Sequence, residues 1–247
     1  MKNARPQAPH PALSQAERGN LCFPSPLGGR WPGGSDERGE PSLKKPIVVL
    51  ATHNRDKVRE IRRLLGRGVA DVRGLDDFPP YTVRETGRTL EANALLKARA
   101  AVRRTGHWAL SDDTGLEVAA LGGRPGVYSA RFAGSGCSYA DNNRKLIRLL
   151  KGFSRARRRA VFRCAVAFVG PDGTERVFVG RCPGWIVEEG RGEKGFGYDP
   201  VFEPRGAGRT FAQMSLAAKN RISHRAIAFR RAADHLRRFF RAPRPRS

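Results

Sequence analysis

The first sustained apolar run in the chain is residues 47–51, a continuous stretch that is rich in β-branched side chains. Such a run predicts a strand that is buried on both faces. A polar turn follows at 52–56, and the next apolar positions recur at helical spacing until Gly66. Those positions are Val58, Ile61, Leu64 and Leu65. The order of strand, polar turn and helix is typical of the opening of an α/β domain.

Later segments continue this alternation of helix and strand patterns. A second helix is predicted over about 89–104, and a short strand over 108–111 follows it. Residues 139–150 have the pattern of a third helix. The run 161–169 is apolar on both faces apart from Arg163, which predicts a central strand, and 174–180 would return beside it as a hairpin partner.

The last pattern is a strongly amphipathic helix near the end of the chain. Its apolar positions step by four and three: Ile222, Ala226, Phe229, Ala233, Leu236 and Phe240. All these elements together predict a mixed α/β domain over residues 46–240. Eight of the 17 prolines lie between Pro6 and Pro46, and residues 1–45 show no sustained period, so we expect a disordered extension there. Residues 241–247 are expected to form a basic flexible tail.

Composition limits the class of protein and its location. No apolar run approaches the roughly 20 residues that a membrane span needs, and no secretory signal opens the chain, so we expect a cytoplasmic protein. The four cysteines are scattered without a Cys-x-x-Cys pair, which argues against a zinc site or a disulfide framework. The formal net charge of +24 favours polyanionic partners, so a nucleic-acid-binding protein is an alternative, although a compositional bias toward Arg explains the same excess.

Polar residues fill the turn between the first strand and the first helix. They are Thr52, His53, Asn54, Arg55, Asp56 and Lys57. Backbone N–H groups at a helix start, with a Thr hydroxyl and a Lys ammonium, would suit a phosphate chain. An ordinary strand-to-helix turn explains the same residues, and the sequence leaves both interpretations open.

A second polar cluster surrounds the start of the second helix. Glu85 precedes the helix, Thr89 is placed to cap it, and Asn93 and Lys97 lie four residues apart on one face. A solvated helix face explains the last pair equally well.

A third cluster, Asp112, Asp113 and Thr114, follows the short strand at 108–111. Two adjacent carboxylates at a strand end are costly to keep close without a cation. Oxygen ligands of this kind are what Mg²⁺ prefers. A turn in which Asp side chains bind the backbone is the alternative.

Two more clusters lie toward the end of the chain. Aromatic residues set between glycines in the segment 195–200 offer a ring that can stack on a base. Ser223 is a good cap for the last helix, and a helix start keeps the neighbouring His224 neutral and attracts anions. Packing or capping alone explains both clusters as well.

In this order, the five clusters resemble the inosine triphosphate pyrophosphatase family, the non-standard purine nucleoside triphosphate pyrophosphatases. The similarity runs from about Ile47 to Leu236. Four stretches carry it: Ser-Asp-Asp-Thr-Gly-Leu-Glu-Val at 111–118, Leu-Gly-Gly-Arg-Pro-Gly-Val-Tyr-Ser-Ala-Arg-Phe at 121–132, Gly-Phe-Gly-Tyr-Asp-Pro-Val-Phe at 195–202 and Ile-Ser-His-Arg at 222–225. One such string is only suggestive, but four in sequence order are highly specific.

The resemblance implies an α/β fold with an elongated mixed β-sheet, flanking helices and two lobes around a central substrate cleft. It also implies a homodimer and the cofactor Mg²⁺. The implied reaction is hydrolysis between the α- and β-phosphates of nucleotides such as ITP, dITP and XTP.

The resemblance also assigns roles to residues. Asp113 matches the general base, and Glu85 matches a Mg²⁺-associated carboxylate, with Asp113 itself and Asp112 close to the metal. The turn from Thr52 to Lys57, with Lys97, matches the phosphate-binding positions, and Thr114 matches a substrate-contacting hydroxyl. The positions that would hold the nucleoside and recognise its base are Phe196, Gly197, Tyr198, Asp199, Lys219, His224 and Arg225.

Three positions depart from the family pattern. His53 stands where Gly is common, which predicts a phosphate turn of different shape; Leu90 replaces a frequent aromatic residue; and Thr114 keeps the hydroxyl of a Ser. None of these removes a catalytic carboxylate, so we expect an active enzyme. A pyrophosphatase of related fold that acts on modified pyrimidine nucleotides is a rival, but its motifs differ from Ser-His-Arg and Gly-Phe-Gly-Tyr-Asp.

Overall fold

The computed structural model describes residues 45–65 and 70–241. Apart from Lys45, the predicted extension over 1–45 lies outside these residues, as does Gly66. The predicted tail over 241–247 lies outside them too, except that Arg241 is the last residue of the final helix.

The described chain folds around one mixed β-sheet. Its strands are β1 Ile47–Leu50, β2 Asp71–Gly74, β3 Trp108–Val118, β4 Pro125–Gly126, β5 Arg159–Val169, β6 Glu175–Ile186 and β7 Phe202–Pro204. They are ordered β2-β1-β3-β5-β6-β7, and β4 pairs with β3 outside this order. β1 runs parallel to β2 and β3, whereas β3, β5, β6 and β7 pair antiparallel in succession. The predicted mixed α/β class and the central position of β5 are confirmed.

Helices cover both faces of the sheet. They are α1 Arg55–Leu65, α2 Leu90–Thr105, α3 Tyr139–Leu149, α4 Leu216–Ile222 and α5 His224–Arg241. Thr89 caps α2 by accepting a hydrogen bond from the N–H of Ala92, and Gly106 ends the helix in the left-handed conformation. Both ends of α2 therefore lie where the sequence predicts them.

Strands β3 and β6 are longer than predicted. The prediction that Asp112 and Asp113 stand at a strand end is wrong, because β3 continues through both residues to Val118 and pairs with β5 along this length. Cations lie next to each carboxylate beside the sheet, and the pairing of β3 with β5 continues past both residues. β6 likewise continues past Gly180 to Ile186.

The final helix also begins later than the apolar pattern suggests. Ile222 ends the separate helix α4 and is 40% exposed, so it does not belong to the buried face of α5. Ser223 separates the two helices, and its Oγ accepts a hydrogen bond from the N–H of Ala226. The predicted capping role of Ser223 is confirmed.

Successive side chains of the central strands point to opposite faces of the sheet, so the core forms separate clusters on the two faces. On one face of β5, Cys164, Val166 and Phe168 pack in a cluster with α1 and α5. On the other face, Ala165 and Ala167 pack against the small side chains of α2. A third cluster joins the far end of the sheet to α3 and the segment from Tyr198 to Met214.

A close backbone approach fixes where α5 begins. A Cβ atom at Gly180 would lie 2.0 Å from the carbonyl oxygen of His224 and 2.6 Å from the backbone nitrogen of Ala228. The first turn of α5 can therefore contact β6 only because residue 180 has no side chain. This contact places His224 and Arg225 against the sheet.

In the described part of the chain, no helix is long and apolar enough to cross a membrane. Cys137, Cys164 and Cys182 are free thiols, whereas Cys22 lies outside the described residues.

Candidate active site

A cavity of about 350 Å³ lies where β1, β3 and the start of α5 converge. It is also lined by the segments before α1 and α2 and by the segment 196–199. The structure brings most of the predicted site residues to its wall. They are Thr52, His53, Asn54, Lys57, Glu85, Lys97, Asp113, Thr114, Phe196, Gly197, Tyr198, Asp199, Lys219, His224 and Arg225.

Three predicted residues do not line the cavity. Arg55 is exposed at the start of α1, and Asp56 forms an ion pair with Arg59 on the same helix. Asp112 is fully buried behind the cavity wall.

The turn before α1 is built around Asn54. Its Oδ1 accepts hydrogen bonds from the N–H groups of Asp56 and Lys57 at 3.0 and 3.1 Å, so it caps the helix. The ring Nε2 of His53 lies 3.1 Å from the carbonyl oxygen of Tyr81, to which it donates. His53 therefore ties this turn to the segment that leads to Glu85.

The acidic end of the cavity is organised by Lys97. Its Nζ lies 3.3 Å from Oδ1 of Asp113 and 3.3 Å from Oε1 of Glu85, so one ammonium bridges the two carboxylates. The side-chain amide of Asn93 donates to Asp113 and accepts from the N–H of Gly87, which fixes the segment next to Glu85. Residues from β3, α2 and the preceding segment thus meet at one point.

Burial and these contacts together raise the pKa values of both Asp113 and Lys97. Burial raises the pKa of Asp113, although Lys97 and Lys57 oppose this shift. Burial alone would lower the pKa of Lys97, but Asp113, Asp112 and Glu85 outweigh it and raise that pKa. Lys97 therefore stays charged, while Asp113 is a stronger base than an exposed aspartate.

Asp112 holds cations instead of facing the cavity. Because neighbouring residues of a strand point to opposite faces, it contacts different groups from Asp113. Its Oδ2 lies 3.0 Å from Nζ of Lys57 and 3.5 Å from Nε of Arg225, and it accepts from the hydroxyl of Thr114. Burial opposes ionisation, yet Lys57 and Arg225 hold the pKa of Asp112 far below its usual range.

The other end of the cavity is aromatic and basic. The ring of Phe196 has Nζ of Lys219 at 5.0 Å and Cζ of Arg225 at 5.3 Å from its centroid. Asp199 holds the loop that carries Phe196, because it accepts from the N–H of Phe196 and from Lys219. Tyr198 on the same loop is buried, and its hydroxyl donates a hydrogen bond to the carbonyl oxygen of Ser129.

His224 lines this end of the cavity and is only 2% exposed. Its ring stacks on Phe162, with centroids 4.4 Å apart and an angle of 11° between the planes. Neither ring nitrogen has a hydrogen-bond partner among the described residues. Burial, followed by the charges of Arg225 and Lys219, lowers the pKa of His224 well below 6.5. The sequence predicted a neutral His224 from the helix start, whereas burial is the larger cause here; the neutral ring leaves one donor and one acceptor available to a ligand.

This environment makes a prediction about stability. The folded state lowers the pKa of His224, so the stability that comes from keeping it neutral is present above about pH 6.5 and is lost as the pH falls below it. Between pH 7.5 and 5.5 this loss is about 1.4 kcal/mol. His224→Phe keeps the stacked ring and removes the titration. Urea unfolding at both pH values should show a smaller loss for the variant by about this amount; equal losses would contradict the prediction.

Glu60 is a site residue that the sequence interpretation missed. Its two carboxylate oxygens bind Nζ of Lys219 at 2.8 Å and Nη1 of Arg225 at 2.5 Å. It lies on α1 one turn after Lys57, and it is 4% exposed. The signal in the sequence is that Glu60 lies four residues before the apolar position Leu64, which places it on the same side of α1.

A family model described as the Ham1 family matches residues 48–235. The chain belongs to the Ham1 family. Among its relatives, the dITP/XTP pyrophosphatase of Desulforamulus reducens is 46% identical over 194 residues, which are 78% of this chain and 96% of that protein. The dITP/XTP pyrophosphatase of Geobacter sulfurreducens is 45% identical over 190 residues, 76% of this chain and 96% of that protein.

Solved structures of Ham1 proteins share the fold. The Staphylococcus aureus Ham1 protein has a TM-score of 0.70 and 39% identity, covering 77% of this chain and 97% of its own. A HAM1 protein from Coxiella burnetii has a TM-score of 0.72 and 36% identity, covering 77% and 98%. The family resemblance found in the sequence motifs is therefore confirmed.

Proposed function

We propose that this Ham1-family protein hydrolyses the triphosphates of non-standard purine nucleosides, such as dITP, ITP and XTP, to the monophosphate and pyrophosphate. The observation that carries the proposal is one cavity that joins the Glu85–Lys97–Asp113 group to a pocket formed by Phe196, His224 and Arg225. The names of the curated relatives support the same substrates.

The phosphate chain would lie at the end of the cavity formed by the turn before α1. Lys57 and Lys97 both line this end and provide positive charge. The N-terminus of α1 adds the partial positive charge of a helix start. Asp112 and Asp113 hold the two ammonium groups in place, so little reorganisation is needed when a polyanion binds.

The donor set fits a magnesium ion that arrives with the nucleotide. No group of three or more His, Cys, Asp or Glu residues is arranged to hold a metal ion in the described ranges. Mg²⁺ is usually bound by one or two carboxylates together with substrate phosphates and waters. Glu85 and Asp113 supply two carboxylates of this kind, and Mg²⁺ held there would neutralise charge on the phosphates. Asp112 would act only indirectly, through Lys57.

Asp113 is placed to accept the proton of the attacking water. Its pKa is raised by burial, which makes it a stronger base, and the contact with Lys97 favours the ionised form that accepts a proton. The amide of Asn93 fixes the second oxygen at 3.3 Å, which orients the carboxylate. The attack takes place at the α-phosphate, and pyrophosphate leaves.

The purine pocket offers hydrogen-bond donors at its inner end. Arg225 is fully buried and always charged, and the neutral His224 has unused ring nitrogens. A 6-oxo group accepts hydrogen bonds, whereas the 6-amino group of adenine would leave such donors unpaired. We therefore propose that these two residues discriminate against adenine, while Phe196 supplies the stacking face.

The direct test is to incubate the purified protein and Mg²⁺ with a panel of triphosphates and to separate the products by chromatography. We expect pyrophosphate and the monophosphate from dITP, ITP and XTP, with ATP and GTP largely spared. Release of orthophosphate and a diphosphate would contradict the proposed bond. Steep, salt-dependent affinity for DNA or RNA without hydrolysis would favour the nucleic-acid alternative. The homodimer and the cytoplasmic location stay predictions.

A further inference from the structure

Tyr139 is an aromatic residue at the cavity mouth that the sequence motifs do not single out. It is the first residue of α3, and 44% of its surface is exposed. Its side chain nevertheless lines the cavity. A large ring that is half in solvent buries only part of its apolar surface and so contributes little to a core.

The contacts of Tyr139 reach to both ends of the cavity. Its hydroxyl accepts a hydrogen bond from Nδ2 of Asn54 at 3.3 Å. Its ring lies 6.0 Å from the ring of Phe196, at an angle of 41°. Asn54 shapes the proposed phosphate turn, and Phe196 is the proposed stacking face. Tyr139 therefore spans the mouth between the two.

The start of α3 holds this side chain in place. Ser138 and Asp141 form reciprocal capping hydrogen bonds, so the first turn of the helix is well defined. One turn later, the amide of Asn143 donates to the carbonyl of Gly197 at 3.0 Å. The loop that carries Phe196 and the helix that carries Tyr139 are thus joined directly.

We propose that Tyr139 is a substrate-contacting residue that forms the outer wall of the purine slot at the cavity mouth. The proposal rests on the proposed function. A base stacked between two rings needs about 7 Å between them, since each stacked pair is about 3.5 Å apart. The present distance between the ring centroids is 6.0 Å and the rings are tilted by 41°, so Tyr139 moves outward by about 1 Å and turns toward the plane of Phe196 when the base enters; its exposed side leaves room for this.

The test compares Tyr139→Ala, which removes the ring, with Tyr139→Phe, which keeps it. For dITP, we expect KM to rise about tenfold in Tyr139→Ala and to stay within about threefold in Tyr139→Phe, because stacking on the base does not need the hydroxyl. We expect kcat to change less than KM in both. Leu149→Ala is the matched control, because Leu149 is also exposed on α3 but does not line the cavity.

A second measurement separates a contact with the nucleoside from a general structural effect. Calorimetric titration should show about tenfold weaker binding of deoxyinosine monophosphate to Tyr139→Ala and unchanged binding of inorganic pyrophosphate. Unchanged monophosphate binding, or equal weakening of both ligands, would overturn the proposal. The titration is informative even if the wild-type protein releases no pyrophosphate from dITP, an outcome that would count against the proposed function alone.

Discussion

Asp113→Asn is expected to lower kcat for dITP by about a thousandfold while the protein stays folded. Removing a general base from a reaction typically costs about 10²–10⁴ in rate, and Asp113 is also a proposed metal ligand, so the upper half of this range applies. Asparagine has the same shape and can accept from Lys97, so the cavity should keep its form. Steady-state release of pyrophosphate measures the effect, and circular dichroism checks the fold.

The same substitution should leave stability unchanged or raise it when divalent cations are absent. The folded state raises the pKa of Asp113, so the ionised carboxylate is disfavoured by folding at neutral pH. A neutral amide relieves that cost. Loss of activity with retained or increased stability is the behaviour of a residue that serves function at the expense of the fold.

A control on the same strand separates chemistry from folding. Glu117 also lies on β3, but it pairs with Arg163 at 3.0 Å and does not line the cavity. Glu117→Gln should keep the wild-type kcat, whereas Glu85→Gln should lose most turnover because Glu85 shares Lys97 with Asp113. Wild-type turnover in Asp113→Asn would remove it from the proposed mechanism.

The apolar spacing and the capping residues predicted most of the helices and strands, because these signals lie within a few residues of the element that they define. Thr89 and Gly106 mark the ends of α2 through a capping oxygen and a left-handed glycine, both of which act at short range. The ends of β3 were not predictable in this way. Asp112 lies inside the strand next to Lys57 and Arg225, which come to it from other segments of the chain.

The candidate site shows the same limit. Motifs in sequence order identified the residues that carry recognisable strings, such as Asp113 and Phe196. Glu60 and Tyr139 carry no such string. Glu60 meets Lys219 across 159 residues of sequence, and Tyr139 meets Asn54 across 85. Contacts between residues so far apart in the sequence follow from the order of the strands and the packing of the helices. A single sequence does not show either of these directly.

Five charged residues of the site form a buried group in which each member is at most 4% exposed: Glu60, Lys219, Arg225, Asp112 and Asp199. Glu60 is shared by the two cations, with Lys219 at 2.8 Å and Arg225 at 2.5 Å. Burial opposes its ionisation, but Arg225 and Lys219 outweigh burial and lower the pKa of Glu60. Loss of this one charge would leave two buried cations with fewer anions around them.

Glu60→Gln is therefore expected to destabilise the protein by about 3–5 kcal/mol, the usual effect of removing one partner from a buried ion pair. Urea unfolding measures this as a lower midpoint at an unchanged slope. Asp234→Asn is the matched control, because Asp234 pairs with Arg237 on the exposed side of α5, and surface pairs contribute about 0–1 kcal/mol. A midpoint equal to that of the control would mean that Lys219 and Arg225 are balanced by Asp199 and Asp112 alone. If the expected loss is found, α1 fixes the purine pocket through Glu60, although it supplies no residue to the stacking face.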